Sequence, residues 1–113
     1  MHELSITRSV VAIVAEHAAG RKVTRVRLEI GALSAVMPDA VRFCFGICAA
    51  DTPLAGAALE IDEIPGLGTC DDCGTQVGLK ALVGRCPNCG TASLRLIAGQ
   101  ELNIKEMEVA SCA

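Results

Sequence analysis

Two short stretches of the chain carry the residue types that bind metal ions. They are "CDDCG" at Cys70 to Gly74 and "CPNCG" at Cys86 to Gly90. A tetrahedral ion needs four donors, and Cys-x-x-Cys lets one tight turn present two sulfurs to a single point. The glycine after each second cysteine admits the positive φ that turns backbone N–H groups toward thiolates. Twelve residues separate the pairs, enough for a short β-loop that folds the second knuckle against the first. Four soft thiolates in a closed set favour Zn(II) and leave no coordination position for catalysis. The role is therefore structural, with ligands Cys70, Cys73, Cys86 and Cys89. Iron in a rubredoxin-like site is the competing reading and would colour the protein red.

The second place is the beginning, "MHELSITRS". The bulky second side chain opposes removal of Met1. The chain then starts with an α-amine, an amide nitrogen and an imidazole in succession. Those nitrogens can close two fused chelate rings on one divalent ion, a near-planar array suited to Ni(II) or Cu(II). Glu3 can complete it through its amide nitrogen or its carboxylate. Spacing alone says little, because one histidine near a chain end is a weak motif.

The remaining candidates are plainer. Cys44 and Cys48, one helical turn apart, are expected in the core as small hydrophobes, and Cys112 as an exposed free thiol. His17 suits the C-terminal end of a helix, where partial positive charge is favoured. No nucleophile–base pair, phosphate-cradling glycine loop or open metal site is evident, so the chain is not read as an enzyme.

The elements that must position these groups follow from periodicity. Leu4, Thr7, Val11, Val14 and Ala18 recur at three or four residues, with Val10 and Ile13 widening the stripe, and Gly20 ends this helix. In "TRVRLEIG", Val26, Leu28 and Ile30 alternate with charged residues as a half-buried strand. Pro38 opens a second helix that runs to about Ala50. A second strand follows, with Leu59 and Ile61 inward. Composition then changes abruptly at Pro65 and Gly66. In the closing "ELNIKEMEV", Leu102 and Ile104 share one phase and Met107 and Val109 the other, which predicts a bulge near Glu106. The expected fold is α+β: two helices on a three-stranded sheet, with an inserted zinc-ribbon module. The expected body is 1–65 plus 98–113, and the module is 66–97.

Composition narrows the function. The 113 residues are 51% apolar but 2% aromatic, with formal charge −3. Nucleic-acid binding usually needs a basic surplus and stacking rings, and this chain has neither. No stretch has the length of a membrane span, and the start does not resemble a signal peptide, so the cytoplasm is the expected compartment. Seven cysteines there read as ligands and free thiols rather than a disulfide framework.

Taken together, "MHELSITRSV", "VTRVRLEIGALSAV", "RFCF", the Gly56 turn before "AALEI", the twin knuckles and "GQELNIKEMEV" resemble the HypA/HybF family of nickel metallochaperones. The resemblance runs the length of the chain without a large insertion. It implies a nickel site at Met1, His2 and Glu3 and a zinc site at Cys70, Cys73, Cys86 and Cys89. It also implies delivery of nickel during maturation of nickel–iron hydrogenase, with a nickel-handling GTPase and the hydrogenase large subunit precursor as partners, in a monomer or homodimer. Asp39 is the nearest match to an acidic residue linked to nickel in some members. Gln76 and Val77 stand where the family often has an aromatic. The alternative is a zinc-ribbon module for protein–protein or nucleic-acid interaction.

Overall fold

The structure is a computed structural model that describes residues 2–81 and 84–111. Among the described residues eight elements follow in order: α1 His2–Ala18, β1 Val23–Gly31, α2 Pro38–Ala49, β2 Ala58–Ile64, β3 Gly66–Cys70, β4 Gln76–Leu79, β5 Leu94–Ala98 and β6 Leu102–Val109. They build two three-stranded sheets, ordered β2-β1-β6 and β4-β3-β5.

The first sheet centres on β1, where Val23, Val26, Leu28 and Ile30 are buried beneath the helices. β1 and β2 run parallel, which a hairpin cannot achieve, so α2 serves as the crossover between them. β6 pairs antiparallel with β1 on the other side. Arg27 faces Glu106 while Leu28 faces Ile104, leaving Lys105 as the extra residue of a bulge. That bulge switches the phase of β6, so Ile104, Met107 and Val109 all pack against the core. On the outer face, Arg25 and Arg27 lie among Glu60, Glu106 and Glu108 in an ion-pair ladder.

α1 buries Thr7, Val10, Val11, Val14 and Ala18. The Thr7 hydroxyl is satisfied by donating to the Glu3 carbonyl at 2.6 Å. Ile13 does not widen the core stripe as expected, since it is 46% exposed. The helix ends at Ala19 and Gly20, both at positive φ. α2 buries Val41, Phe45 and Ala49, with Leu54 sealed beneath the turn that follows. Cys48 packs against this core, whereas Cys44 stays half-exposed.

Three glycines form the junction between the sheets. A Cβ at Gly31 would lie 2.1 Å from the Gly99 carbonyl oxygen, and one at Gly99 would lie 2.7 Å from the Gly66 Cα. A Cβ at Gly66 would meet the Leu79 carbonyl oxygen at 2.3 Å. Backbone therefore packs on backbone here, fastened by Leu33 N–H to Gly99 C=O at 2.6 Å and Gly31 N–H to Glu101 C=O at 2.7 Å. Leu94–Ala98 and Gly66–Cys70 then carry the chain out to the knuckles.

Candidate metal centre

The two knuckles have the same backbone. Gly74 donates to Cys70 C=O at 2.8 Å, and Gly90 to Cys86 C=O at 2.7 Å. Each first cysteine donates its N–H to a threonine carbonyl five residues on, Thr75 and Thr91, both at 2.9 Å. Gly74 and Gly90 sit at φ 76° and 78°, a conformation a side chain would strain. The first knuckle is held to β5 by Arg95 on Asp71 at 3.1 Å and Ser93 on Asp72 at 2.8 Å.

This arrangement brings the four sulfurs together. The Sγ atoms of Cys70, Cys73, Cys86 and Cys89 all lie within 4.8 Å of one another. The first cysteine of each knuckle approaches the second of the other, Cys70 to Cys89 at 3.5 Å and Cys73 to Cys86 at 3.7 Å. A tetrahedron with Zn–S bonds of about 2.3 Å has edges of about 3.8 Å. The cluster therefore fits a zinc ion in size as well as in donor type. Cys70 and Cys86 are buried and Cys73 and Cys89 exposed.

Polar side chains condition these thiols. The Thr75 hydroxyl lies 3.3 Å from Cys73 Sγ, and the Asn88 amide donates to that sulfur at 3.5 Å. Together they lower the Cys73 pKa to about 6. The Cys73 backbone N–H lowers that of Cys70, with the Thr91 hydroxyl, 3.6 Å away, adding to it. At Cys86 the Cys89 N–H pulls downward, but burial and the neighbouring thiols of Cys73 and Cys89 prevail and its pKa is raised. One thiolate is thus largely preformed at neutral pH, while Cys86 holds its proton until something displaces it.

A second cluster lies at the start of α1. His2 Nε2 is 3.0 Å from the Ala35 carbonyl oxygen and 3.0 Å from Glu3 Oε2. Glu3 is 8% exposed, and its Oε2 accepts the Met37 N–H at 3.2 Å. Its own backbone N–H and that of Met37 hold its carboxyl below the usual carboxylate range. Glu3 thus binds the loop before α2 to the first turn of α1, where a negative charge is favoured by the helix dipole. Met1 and Cys112 lie outside the described residues. The structure does not join Asp39 to this cluster: its carboxylate is 96% exposed and pairs with Arg42 at 2.9 Å. His17 lies in the last turn of α1, as expected, and is exposed.

The sequence reading did not identify Thr75 and Thr91, although "CGT" occurs in both knuckles and marks the repeat. It also missed Ala35 and Met37, which act through backbone atoms and leave no residue-type signal.

Three comparisons bear on identity. Residues 1–109 match the family model described as hydrogenase/urease nickel incorporation, metallochaperone, HypA. A hydrogenase maturation factor HypA from Nostoc punctiforme is 61% identical over 109 residues, covering 96% of each chain. Another from Trichormus variabilis is 60% identical over the same length. The solution structure of the Ni metallochaperone HypA from Helicobacter pylori superposes with TM-score 0.64 at 26% identity, covering 95% of this chain and 96% of that one.

Proposed function

The chain belongs to the HypA family of nickel metallochaperones for hydrogenase maturation, and we propose that it carries Ni(II) on its first residues while Zn(II) holds its second sheet in shape. Nickel is cargo in this reading, taken by the Met1 amine, the His2 amide and ring, and Glu3. The observation that supports it is the fixing of His2 through Nε2, against the Ala35 carbonyl and the Glu3 carboxylate. A proton held on Nε2 leaves Nδ1 with its lone pair, and Nδ1 is the nitrogen that closes a six-membered ring with the residue's own amide nitrogen.

Glu3 supplies the fourth donor through its amide nitrogen or through its carboxylate, which also accepts the Met37 N–H. Amide nitrogens in the first turn of a helix have no intrahelical acceptor, and using them costs no helix hydrogen bond. Uptake must displace protons from the amine and the amide, and acid that protonates the imidazole competes as well, so nickel affinity falls as pH is lowered. A partner can remove such a terminal chelate one donor at a time, which a handover requires.

Zinc would be held by Cys70, Cys73, Cys86 and Cys89 and would supply folding free energy rather than reactivity. The protein is then a non-enzymatic carrier that works with other maturation factors, a nickel-handling GTPase and the hydrogenase large subunit precursor among them. No helix of the described residues is long and apolar enough to cross a membrane, and the cytoplasm is the compartment we propose. The test is the nickel content of the unextended chain with and without the His2 imidazole.

A further inference from the structure

The two knuckles share one backbone but differ in what their third residue does. Asn88 in the second corresponds to Asp72 in the first. The Asn88 amide crosses to the first knuckle, donating to Cys73 Sγ at 3.5 Å and to Thr75 Oγ1 at 3.1 Å. An ionised carboxylate has no hydrogen to donate, and Asp72 instead accepts the Ser93 hydroxyl at 2.8 Å.

The sulfurs therefore do not share hydrogen-bond donors evenly. Thr75 accepts from Asn88, which leaves its hydroxyl hydrogen for a Cys73 thiolate 3.3 Å away. Cys73 thus receives an amide and a hydroxyl. Thr91 Oγ1 stands 3.2 Å from Cys89 Sγ and 3.6 Å from Cys70 Sγ, so one hydroxyl hydrogen serves two sulfurs. Among the described residues, Thr91 is the side-chain donor at Cys89. Cys70 and Cys86 are buried, whereas Cys73 and Cys89 are exposed. Cys89 alone combines open access with a share in a single side-chain donor.

A bound zinc ion holds all four residues as thiolates, so protonation does not distinguish them. Access and electron density do. Each hydrogen bond to a thiolate draws off charge that would otherwise attack an electrophile. The exposed thiolate with the fewest donors is the one most open to oxidation.

We propose that Cys89 is the oxidation site of the metal centre, the sulfur that hydrogen peroxide oxidises first, with Cys70 as its resolving partner. The Cys89 thiolate attacks one peroxide oxygen; an S–O bond forms, the O–O bond breaks, and the departing hydroxide takes a proton to become water. Cys70 Sγ, 3.5 Å away, then attacks the sulfenic sulfur. An S–S bond forms, the S–O bond breaks, and the second hydroxide leaves as water on taking a proton. Two thiolates, one peroxide and two protons become a Cys70–Cys89 disulfide and two waters. Only Cys73 and Cys86 then remain as thiolate donors, and the ion is released. The inference rests on the zinc reading above.

The experiment exposes the full zinc-loaded chain to substoichiometric hydrogen peroxide. Zinc release is followed with a chromogenic chelator and the modified cysteines by peptide mass mapping, with Cys44, Cys48 and Cys112 scored separately. In the parent, oxidation should begin at Cys89, and the first disulfide should be Cys70–Cys89, formed as zinc is released. Thr91→Val removes the hydroxyl and should speed Cys89 oxidation and zinc release about tenfold, while Thr91→Ser should keep the parental rate. Asn88→Ala should bring oxidation of Cys73 up to that of Cys89 and leave Cys89 itself unchanged. Zinc content and melting of each untreated variant identify any that fails to fold, and the map of the parent then decides by itself. Oxidation beginning at Cys73, a first disulfide between any other pair, or a Thr91→Val rate equal to the parent's overturns the proposal. A parent chain that purifies without zinc overturns the zinc reading and this inference together.

Discussion

The His2 ring nitrogen Nε2 lies 3.0 Å from the Ala35 carbonyl oxygen, so the first residue of α1 is tied to the loop that enters α2, 33 positions away. Chain ends usually fray unless something holds them, and here the Glu3 carboxylate adds a second tie through the Met37 N–H. Glu3→Ala removes that acceptor from a part-buried N–H and should cost about 1–3 kcal/mol of stability. Glu3→Gln keeps one oxygen and should recover part of the loss. Thermal melting of the two variants, with nickel titration of each, measures both effects.

Cys86 is 1% exposed and sits among three other sulfurs. Cys86→Ser should release the zinc, and with it structural-site binding of about 10–16 kcal/mol that supports the fold. The second sheet should lose its amide protection in hydrogen exchange, while β1, β2, β6 and the helices keep theirs. Zinc retained at one per chain would show that this residue is not a ligand.

Gly99 combines φ 121° with a Cβ position 2.7 Å from the Gly66 Cα. Gly99→Ala should therefore destabilise by at least about 3 kcal/mol. The damage belongs at the junction of the two sheets, so zinc content should persist even as the melting temperature falls. Gly84→Ala, with only a 4.0 Å neighbour, is the matched control and should be near neutral.

Glu60 lies between two arginines, and Arg27 and then Arg25 hold its carboxyl below the usual 4.5. A carboxyl lowered in the folded state stabilises the fold above its unfolded value, and that contribution disappears as pH falls through the folded one. Glu60→Gln should thus lower stability slightly near neutrality, where the charged form contributes, and make stability less dependent on pH below about 4.5. The effect should be small, because the side chain is 43% exposed. Equal acid sensitivity in the two proteins would remove Glu60 from the account.

Much of this architecture was legible because periodicity and punctuation agreed. Val26, Leu28 and Ile30 marked the central strand, Pro38 marked the start of α2, and the phase change in "ELNIKEMEV" located the bulge within a residue of Glu106. The knuckles were legible because a ligand pair within one turn leaves a fixed spacing. What stayed hidden depends on partners distant in sequence. Nothing near Glu3 in the sequence shows that it is buried, because the N–H that its carboxylate accepts comes from Met37, 34 positions on. The "FCFGIC" segment is apolar all round, so its pattern did not say that Phe45 turns inward and Phe43 outward. The glycine junction was equally invisible, since Gly31, Gly66 and Gly99 meet only once both sheets are formed.

The central claim is that the nitrogens of the first residues, with the His2 imidazole among them, hold the nickel. The most direct measurement is metal content per chain after nickel exposure and desalting, for the protein with a free Met1 amine, its His2→Ala variant and a form extended by a few residues ahead of Met1. The account predicts one nickel and one zinc for the first, and zinc without tightly held nickel for the other two. Equal nickel in all three proteins would contradict it.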